Sequence, residues 1–549
     1  MTQRTQEFYD TVIIGGGHNG LVCAGYLARA GLSVKVLERR HIVGGAAVTE
    51  EFHPGFSNSI CSYVVSMLSP KVIADLELHR YGLELIERAD GMISITPEGE
   101  SLVAGAGKER DAQEIGRFSQ KDIAAFEKFE SDMEEMAAMF RQIAETRPPN
   151  MGGGMLELWN AMKLGNHLRK HTAQQHEKLI DIMGGSLGDY LDSRFESDIL
   201  KGLYAGDGTT GNFVHPYSAG SAMNLLHHEF GNINGKSGKW WHAKGGMGGI
   251  TQAMLKSAEA HGAKVETNAA VKEMIIDGDP ADGSGTVKGV ILEDGREIYA
   301  TRIAANCTAH ILFTKLMNVE TLPESFGTRI KNFRYRSGTL RMNVALSELP
   351  QFTALKNVEN ATEELTRSII ICPSVKYLEQ AYTDARMTGY AQRPFVSMNI
   401  PSLIDDSLAP AGKHVASLFC QHFNPELPDG KDWDDLKDEA AQAVIDTVTE
   451  TAPNFRDAII GMQVLTPKDL QREFSLTGGD IFHGCMHPDQ IFSMRPAARF
   501  SDYRTPVKNL YLCGSGTHPG GGVSGIPGRL AAEEIMKDAR VKKRKTQAA

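Results

Sequence analysis

A strand that runs straight into a glycine loop and then a helix fixes the start of this chain. Tyr9 to Ile14 is a short apolar run, followed by Gly15-Gly16-Gly17-His18-Asn19-Gly20, a G-x-G-x-x-G. Leu21 to Ala30 reads as a helix stopped by Gly31, and Ser33 to Leu37 as a second strand ending in Glu38. Each part has a task in a βαβ nucleotide-binding unit. Gly15 permits the tight turn, Gly17 lets the backbone approach a pyrophosphate, and Gly20 lets helix lie close on strand. The helix start at His18, Asn19 and Gly20 offers free N–H groups and a dipole to phosphate. Glu38 is placed to accept hydrogen bonds from ribose hydroxyls. The expected fold is α/β, built on a Rossmann-type domain; the alternative is a glycine-rich turn without a ligand.

The next segment separates FAD from NAD. Gly44-Gly45 in the run Val43 to Thr49 resembles the second FAD fingerprint of the glutathione-reductase-like and amine-oxidase-like flavoproteins. Glycines suit a loop pressed against a cofactor. The resemblance implies FAD, with Gly44 and Gly45 in contact with it. Those proteins usually have an arginine directly after the doublet. Ala46 stands there in this chain, so no neutralising arginine is expected at that place, and Arg39 is the candidate on the adenine side.

Composition narrows the rest. The 549 residues allow two or more domains. The 41% hydrophobic and 23% charged fractions are those of an ordinary globular protein. A net charge of -10 gives no basis for nucleic-acid binding. Seven scattered cysteines without a C-x-x-C pair indicate neither a redox disulfide nor a metal site, and fit a reducing compartment. Met1 to Asp10 is polar, without a signal-peptide core. No apolar run reaches the ~20 residues of a spanning helix. A cytoplasmic protein is expected, with peripheral membrane contact as an open alternative.

The flavin domain is expected to be discontinuous: 1–91, then 243–306 with a β-meander, then 495–549 with a basic tail. Between them lie a helical segment, 92–242, and a mixed α+β substrate domain, 307–494. Ser119 starts a helix on which Ile123, Phe126, Met133, Met136, Phe140 and Ile143 recur at helical spacing. A second apolar stretch runs through Met155, Leu156, Leu158, Trp159, Met162 and Leu164. Both are expected to be core faces of a helical subdomain. The alternative is that part of this surface lines a lipophilic channel or rests on a bilayer. Lys244 to Gly249 precedes an amphipathic helix, and no buried strand is expected before these glycines, so a second nucleotide unit is not. Lys264 to Ile276, Thr286 to Glu293 and Glu297 to Ala304 read as a three-strand meander turned at Asp294-Gly295. In the resembling flavoproteins such a strand supplies backbone contacts to adenine, and Val271 holds the matching place.

Near the other end, the strand Asn509 to Leu512 feeds Cys513-Gly514-Ser515-Gly516-Thr517-His518-Pro519-Gly520-Gly521-Gly522-Val523 and then a helix. So many glycines imply close approach to a flat ligand, with Gly514, Gly522 and Val523 along the flavin. Gly514 to Gly520 and Lys244 to Gly248 resemble the matching segments of bacterial-type phytoene desaturases and their relatives. Gly15 to Leu21, Ile481 to Gly484 and Met494 to Pro496 resemble the subgroup called pyridine nucleotide-disulfide oxidoreductase domain-containing protein 2. The resemblance covers nearly the whole chain. It implies removal of hydride and proton from an apolar, isoprenoid-like substrate, with dioxygen or a quinone-like acceptor reoxidising the flavin. His518, within the loop, and the weaker His483 are the catalytic candidates, each with a structural alternative. His227-His228 reads as an ordinary surface or packed pair, with metal ligands as the alternative, because adjacent helical residues diverge. Arg540 to Lys545 reads as a solvated basic end, with docking on anionic lipid as the alternative. Competing functions are a flavin amine oxidase, an FAD-containing hydratase or isomerase, and an interaction protein that retains FAD. Oligomeric state stays open.

Overall fold

A computed structural model describes residues 7–150, 153–233 and 235–540. The first apolar run forms the strand Glu7–Ile14 inside a seven-stranded sheet. Val34–Leu37 lies parallel on one side of it and Glu297–Ala305 parallel on the other. Glu297–Ala305 has two successive partners on its far edge. Its first half pairs antiparallel with Thr286–Leu292, which pairs with Val271–Asp277; its last residues pair parallel with Leu510–Leu512. Three distant stretches therefore build one Rossmann-type sheet with a meander. The helices His18–Arg29, Met247–Ala260 and Ile526–Asp538 pack together beside it. The close packing needs glycine: a Cβ on Gly20 would sit 2.2 Å from the Gly15 carbonyl oxygen, and one on Gly528 2.2 Å from that of Asn19.

Two readings of this region need correction. Lys264 to Ile276 is two strands. Lys264–Glu266 extends the parallel sheet beyond Val34–Leu37, while Val271–Asp277 belongs to the meander. The chain crosses between them at Asn268 (φ 54°), whose N–H bonds Arg40 O, with Ala269 N–H on Glu38 O. A short buried strand, Trp241–Ala243, does precede the glycines at 245–249. It pairs with Leu85–Glu87 in a separate two-stranded ribbon, outside the parallel sheet.

The second layer is another seven-stranded sheet, in the order Ile459–Leu465, Leu340–Leu346, His414–Phe423, Tyr390–Asn399, Ser368–Ile371, Met92–Ile95, Ser101–Ala104. Leu340–Leu346 is buried along its whole length, as expected of a strand covered on both faces. The stretch 92–104 thus joins this sheet before the chain turns helical. In the helical region, Ser119 Oγ caps Gln120–Ala144 by accepting from Asp122 N–H, and Phe126, Met133, Met136 and Phe140 are buried as expected. Phe129 packs edge-on against Phe195 and Tyr204. In the second apolar stretch, on helix Gly154–Leu168, four residues are not core: Met155, Leu158, Trp159 and Met162 are 89%, 61%, 53% and 52% exposed, while Leu164 is half-buried and the Leu156 side chain lies outside the described side chains. The opposite side of this helix faces the protein, where Glu157 accepts from Arg147 (2.6 Å) and from Asn150 N–H (2.8 Å).

Candidate nucleotide and substrate site

The glycine loop turns at Gly15 (φ 96°), and Gly17 sits at the N-cap of His18–Arg29. No side chain caps this helix and no acid lies in its first turn, which leaves the end suited to phosphate. A Cβ on Gly17 would come within 2.8 Å of Asn306 Nδ2. Gly44 (φ 126°) donates its N–H to Gly16 O, and a Cβ on Gly45 (φ 57°) would lie 3.3 Å from Gly17 Cα, so the doublet closes on the first loop. Glu38 ends its strand buried. Its carboxylate accepts from Gly16 N–H (2.7 Å) and Arg40 N–H (2.8 Å), which fixes it beside the turn. A nucleotide phosphate and ribose fit this set of donors, glycines and acid.

The C-terminal loop meets that cradle. Asn19 Nδ2 donates to Ser515 Oγ (2.9 Å). The glycines of this loop answer first to neighbouring protein: a Cβ on Gly514 would lie 2.4 Å from Asn306 O, on Gly521 2.3 Å from Phe482 Cα, and on Gly522 2.6 Å from Met67 Sδ. His18, Ala46, His483, Ser515, Gly522 and Val523 all line one cavity of about 130 Å³. Its other walls include Tyr63, Met67, Phe419, Ile481 and Phe482, with Asp207 and His228 among them. Asp207 and Trp240 also line a second cavity of about 450 Å³. Burial lowers His18 to about 4 and His483 to about 3, so both rings are neutral at pH 7.

The structure does not bring every expected residue to the cavity. His518 is buried elsewhere, with Nε2 on Ile143 O at the end of Gln120–Ala144 and its ring edge-on to Phe492. Val271 begins the meander strand beside the Glu38–Ala269 contact. Arg39 points outward, donating to the Arg472 and Glu473 carbonyls. His227 is buried with Nε2 near Gly521 O (3.1 Å), whereas its neighbour His228 reaches the cavity. His228 Nδ1 stands 4.0 Å from Asp207 Oδ1. No hydrogen-bond donor to the Asp207 carboxylate is found among the described residues, and burial raises its pKa.

Sequence reasoning missed the supports of this site. Asn306, immediately after the meander, donates from Nδ2 to Gly15 O. Arg495, quoted only as part of a motif, is fully buried and donates to five carbonyls: Phe482, Gly484, Gln490, Ser515 and Thr517. It therefore ties the 481–484 segment to the C-terminal loop. Arg341, also fully buried, lies over the Tyr63 ring at 4.7 Å. For Arg341 the available signal was an arginine inside the apolar run Leu340 to Leu346, since a charge in such a strand is buried only when it is partnered.

The NAD(P)-binding Rossmann-like domain family matches residues 13–73. Over 556 residues, 97% of this chain and 94% of the relative, the sequence is 38% identical to pyridine nucleotide-disulfide oxidoreductase domain-containing protein 2 of Rattus norvegicus. The chain belongs to that family. It is an oxidoreductase of the FAD/NAD(P)-binding type. A lycopene-forming phytoene desaturase of Pantoea ananas is 24% identical over 95% of this chain and 97% of its own. A solved structure of a triple mutant of putrescine oxidase aligns with TM-score 0.60 at 15% identity, covering 97% of this chain and 99% of that one. The family name refers to a disulfide; in this member all seven cysteines are free thiols. Among the described residues no cluster of His, Cys, Asp or Glu is arranged to hold a metal ion.

Proposed function

We propose that this family member is an FAD-dependent dehydrogenase that removes a hydride and a proton from an apolar segment of its substrate. The observation that carries this reading is the cavity where both glycine loops meet: its walls are largely apolar, yet they hold His228 beside Asp207. FAD, when bound, supplies the hydride acceptor, and dioxygen or a quinone-like compound reoxidises it. Gly15 and Gly17, with Gly44 and Gly45 closing on their loop, would cradle its phosphates, and Glu38 would accept from its ribose. Tyr63, Met67, Phe419 and Phe482 exclude water and orient an apolar chain. His228 takes the substrate proton on a ring nitrogen, and the Asp207 carboxylate holds the imidazolium that results.

Denatured protein should release FAD. Anaerobic titration with isoprenoid and other apolar alkenes or alkanes should bleach the oxidised flavin, with a product two hydrogens lighter by mass spectrometry. His228→Asn should slow that bleaching by roughly 10²–10⁴-fold, the range for loss of an acid–base group, with FAD occupancy unchanged. Bleaching by primary amines alone would make the protein an amine oxidase, and product formation without bleaching a hydratase or isomerase. Rapid reduction by NADH or NADPH would overturn the acceptor assignment.

A further inference from the structure

We infer that helix Gly154–Leu168 is a docking surface for an anionic lipid bilayer, on which it lies in the plane of the interface. Met155, Leu158, Trp159 and Met162 stand at i, i+3, i+4 and i+7, so they share one face, and more than half of each side chain is exposed. A soluble protein gains nothing by leaving such a stripe in water, and contiguous exposed apolar residues mark an interaction site. None of the four lines either cavity described above, so the stripe is not the wall of a substrate channel.

Charge selects the occupant. The helix carries one acid, Glu157, and it is turned to the protein and neutralised by Arg147. Lys163, with its ammonium 5.5 Å from the Trp159 ring centroid, and Arg169 and Lys170 just past the helix end are all exposed. None of these three cations has a carboxylate partner among the described residues. Arg169 continues the last turn, its N–H on Gly165 O, and counted from Met155 it falls on the side of the apolar stripe, with Lys163 at its border. An apolar stripe with tryptophan, edged by unpaired cations, matches an interface of acyl chains and anionic headgroups. A second copy of the chain fits poorly: a two-fold contact would present this same face, whose helix has one acid, Glu157, already turned inward and paired with Arg147, so it offers these cations no carboxylate. No described helix is long and apolar enough to cross a membrane, so contact by this helix is in-plane.

The experiment is vesicle flotation of the full-length protein, read by the bound fraction. An equal mixture of phosphatidylcholine and phosphatidylglycerol should bind it at least about tenfold more tightly than phosphatidylcholine alone. The pair Trp159→Ser/Met162→Ser should weaken binding to the mixed vesicles by at least about tenfold. The triple Lys163→Glu/Arg169→Glu/Lys170→Glu should erase the preference for anionic lipid. All five side chains are exposed, so circular dichroism and melting temperature should not move. Brominated lipid should quench tryptophan emission, and Trp159→Phe should remove that quenching. Ending the chain after Arg540 should leave the effect of Trp159→Ser/Met162→Ser in place. Binding that survives the pair substitution, or that vanishes only with residues 541–549, overturns the proposal. So does a dimer that the pair substitution converts to monomer without any vesicle binding. None of these readouts depends on the flavin reading.

Discussion

A single atom decides what the glycine loop can hold. Gly17 has space for a hydrogen only, with Asn306 Nδ2 2.8 Å from where a Cβ would be. The Asn306 amide is the end of a side chain and can yield, so Gly17→Val should fold. Its isopropyl group would occupy the phosphate cradle, and we expect FAD per chain, read by absorbance after denaturation, to fall to near zero. Full occupancy would remove the cradle from this loop. His518 is the second residue-scale case. Its Nε2 bonds Ile143 O, so it fastens the C-terminal loop to the end of the long helix. His518→Ala should lower FAD content and melting temperature together with turnover. A loss of turnover at constant FAD and constant melting temperature would instead put His518 on the substrate.

At the scale of elements, the site is a junction of loops held by buried donors. Arg495 bonds five carbonyls from two segments, and burial lowers its pKa to about 10. Arg495→Met keeps the bulk and removes every donor. Leaving a buried acceptor unsatisfied costs about 1–3 kcal/mol each, and partial rewetting will offset some of that. We expect a loss on the order of 3 kcal/mol or more in denaturant unfolding, and weaker FAD binding through displacement of Ser515 and Phe482. If stability falls but FAD affinity is unchanged, the two segments do not shape the cofactor site.

The whole molecule stores its pH dependence in buried neutral histidines. Burial lowers His18 and His518 to about 4, and His227, His422 and His483 to about 3. Unfolding returns each toward its ordinary 6.5, so the unfolded chain binds more protons at acid pH. Their stabilising effect is fully present above about pH 6.5 and is lost as pH falls through the folded values. Glu229 acts oppositely: burial raises it to about 8, so its share is present at low pH and lost as pH rises from its ordinary 4.5 through 8. The melting temperature should therefore peak near neutrality and drop steeply between pH 6 and 4. His422→Phe, in a ring cluster with Phe213 and Tyr382, should make that acid slope shallower by up to one proton. A flat profile from pH 7 to 4 would mean these rings are hydrated in solution.

Local rules made much of this protein legible before any coordinates. The strand, glycine loop, helix, strand and Glu38 follow from backbone sterics and helix-end electrostatics, which act over a few residues. The hairpin at Asp294-Gly295 and the Ser119 cap are equally local. What the sequence could not assign was which distant surfaces meet. The same helical spacing buries Phe126 and Met133 but exposes Met155 and Trp159, because periodicity defines a face and only packing decides what covers it. The stretch 264–276 splits because its halves pair with different strands, a choice made by the sheet and not by propensity. Adjacent histidines diverge on a helix, yet whether His228 faces a cavity or solvent depended on where Asp207 and Phe482 were brought from elsewhere in the chain. The glycine content of the C-terminal loop was visible as a demand for close approach. Tertiary structure showed that Asn306, Phe482 and Met67 make that demand, since steric exclusion acts only between surfaces the fold has already brought together.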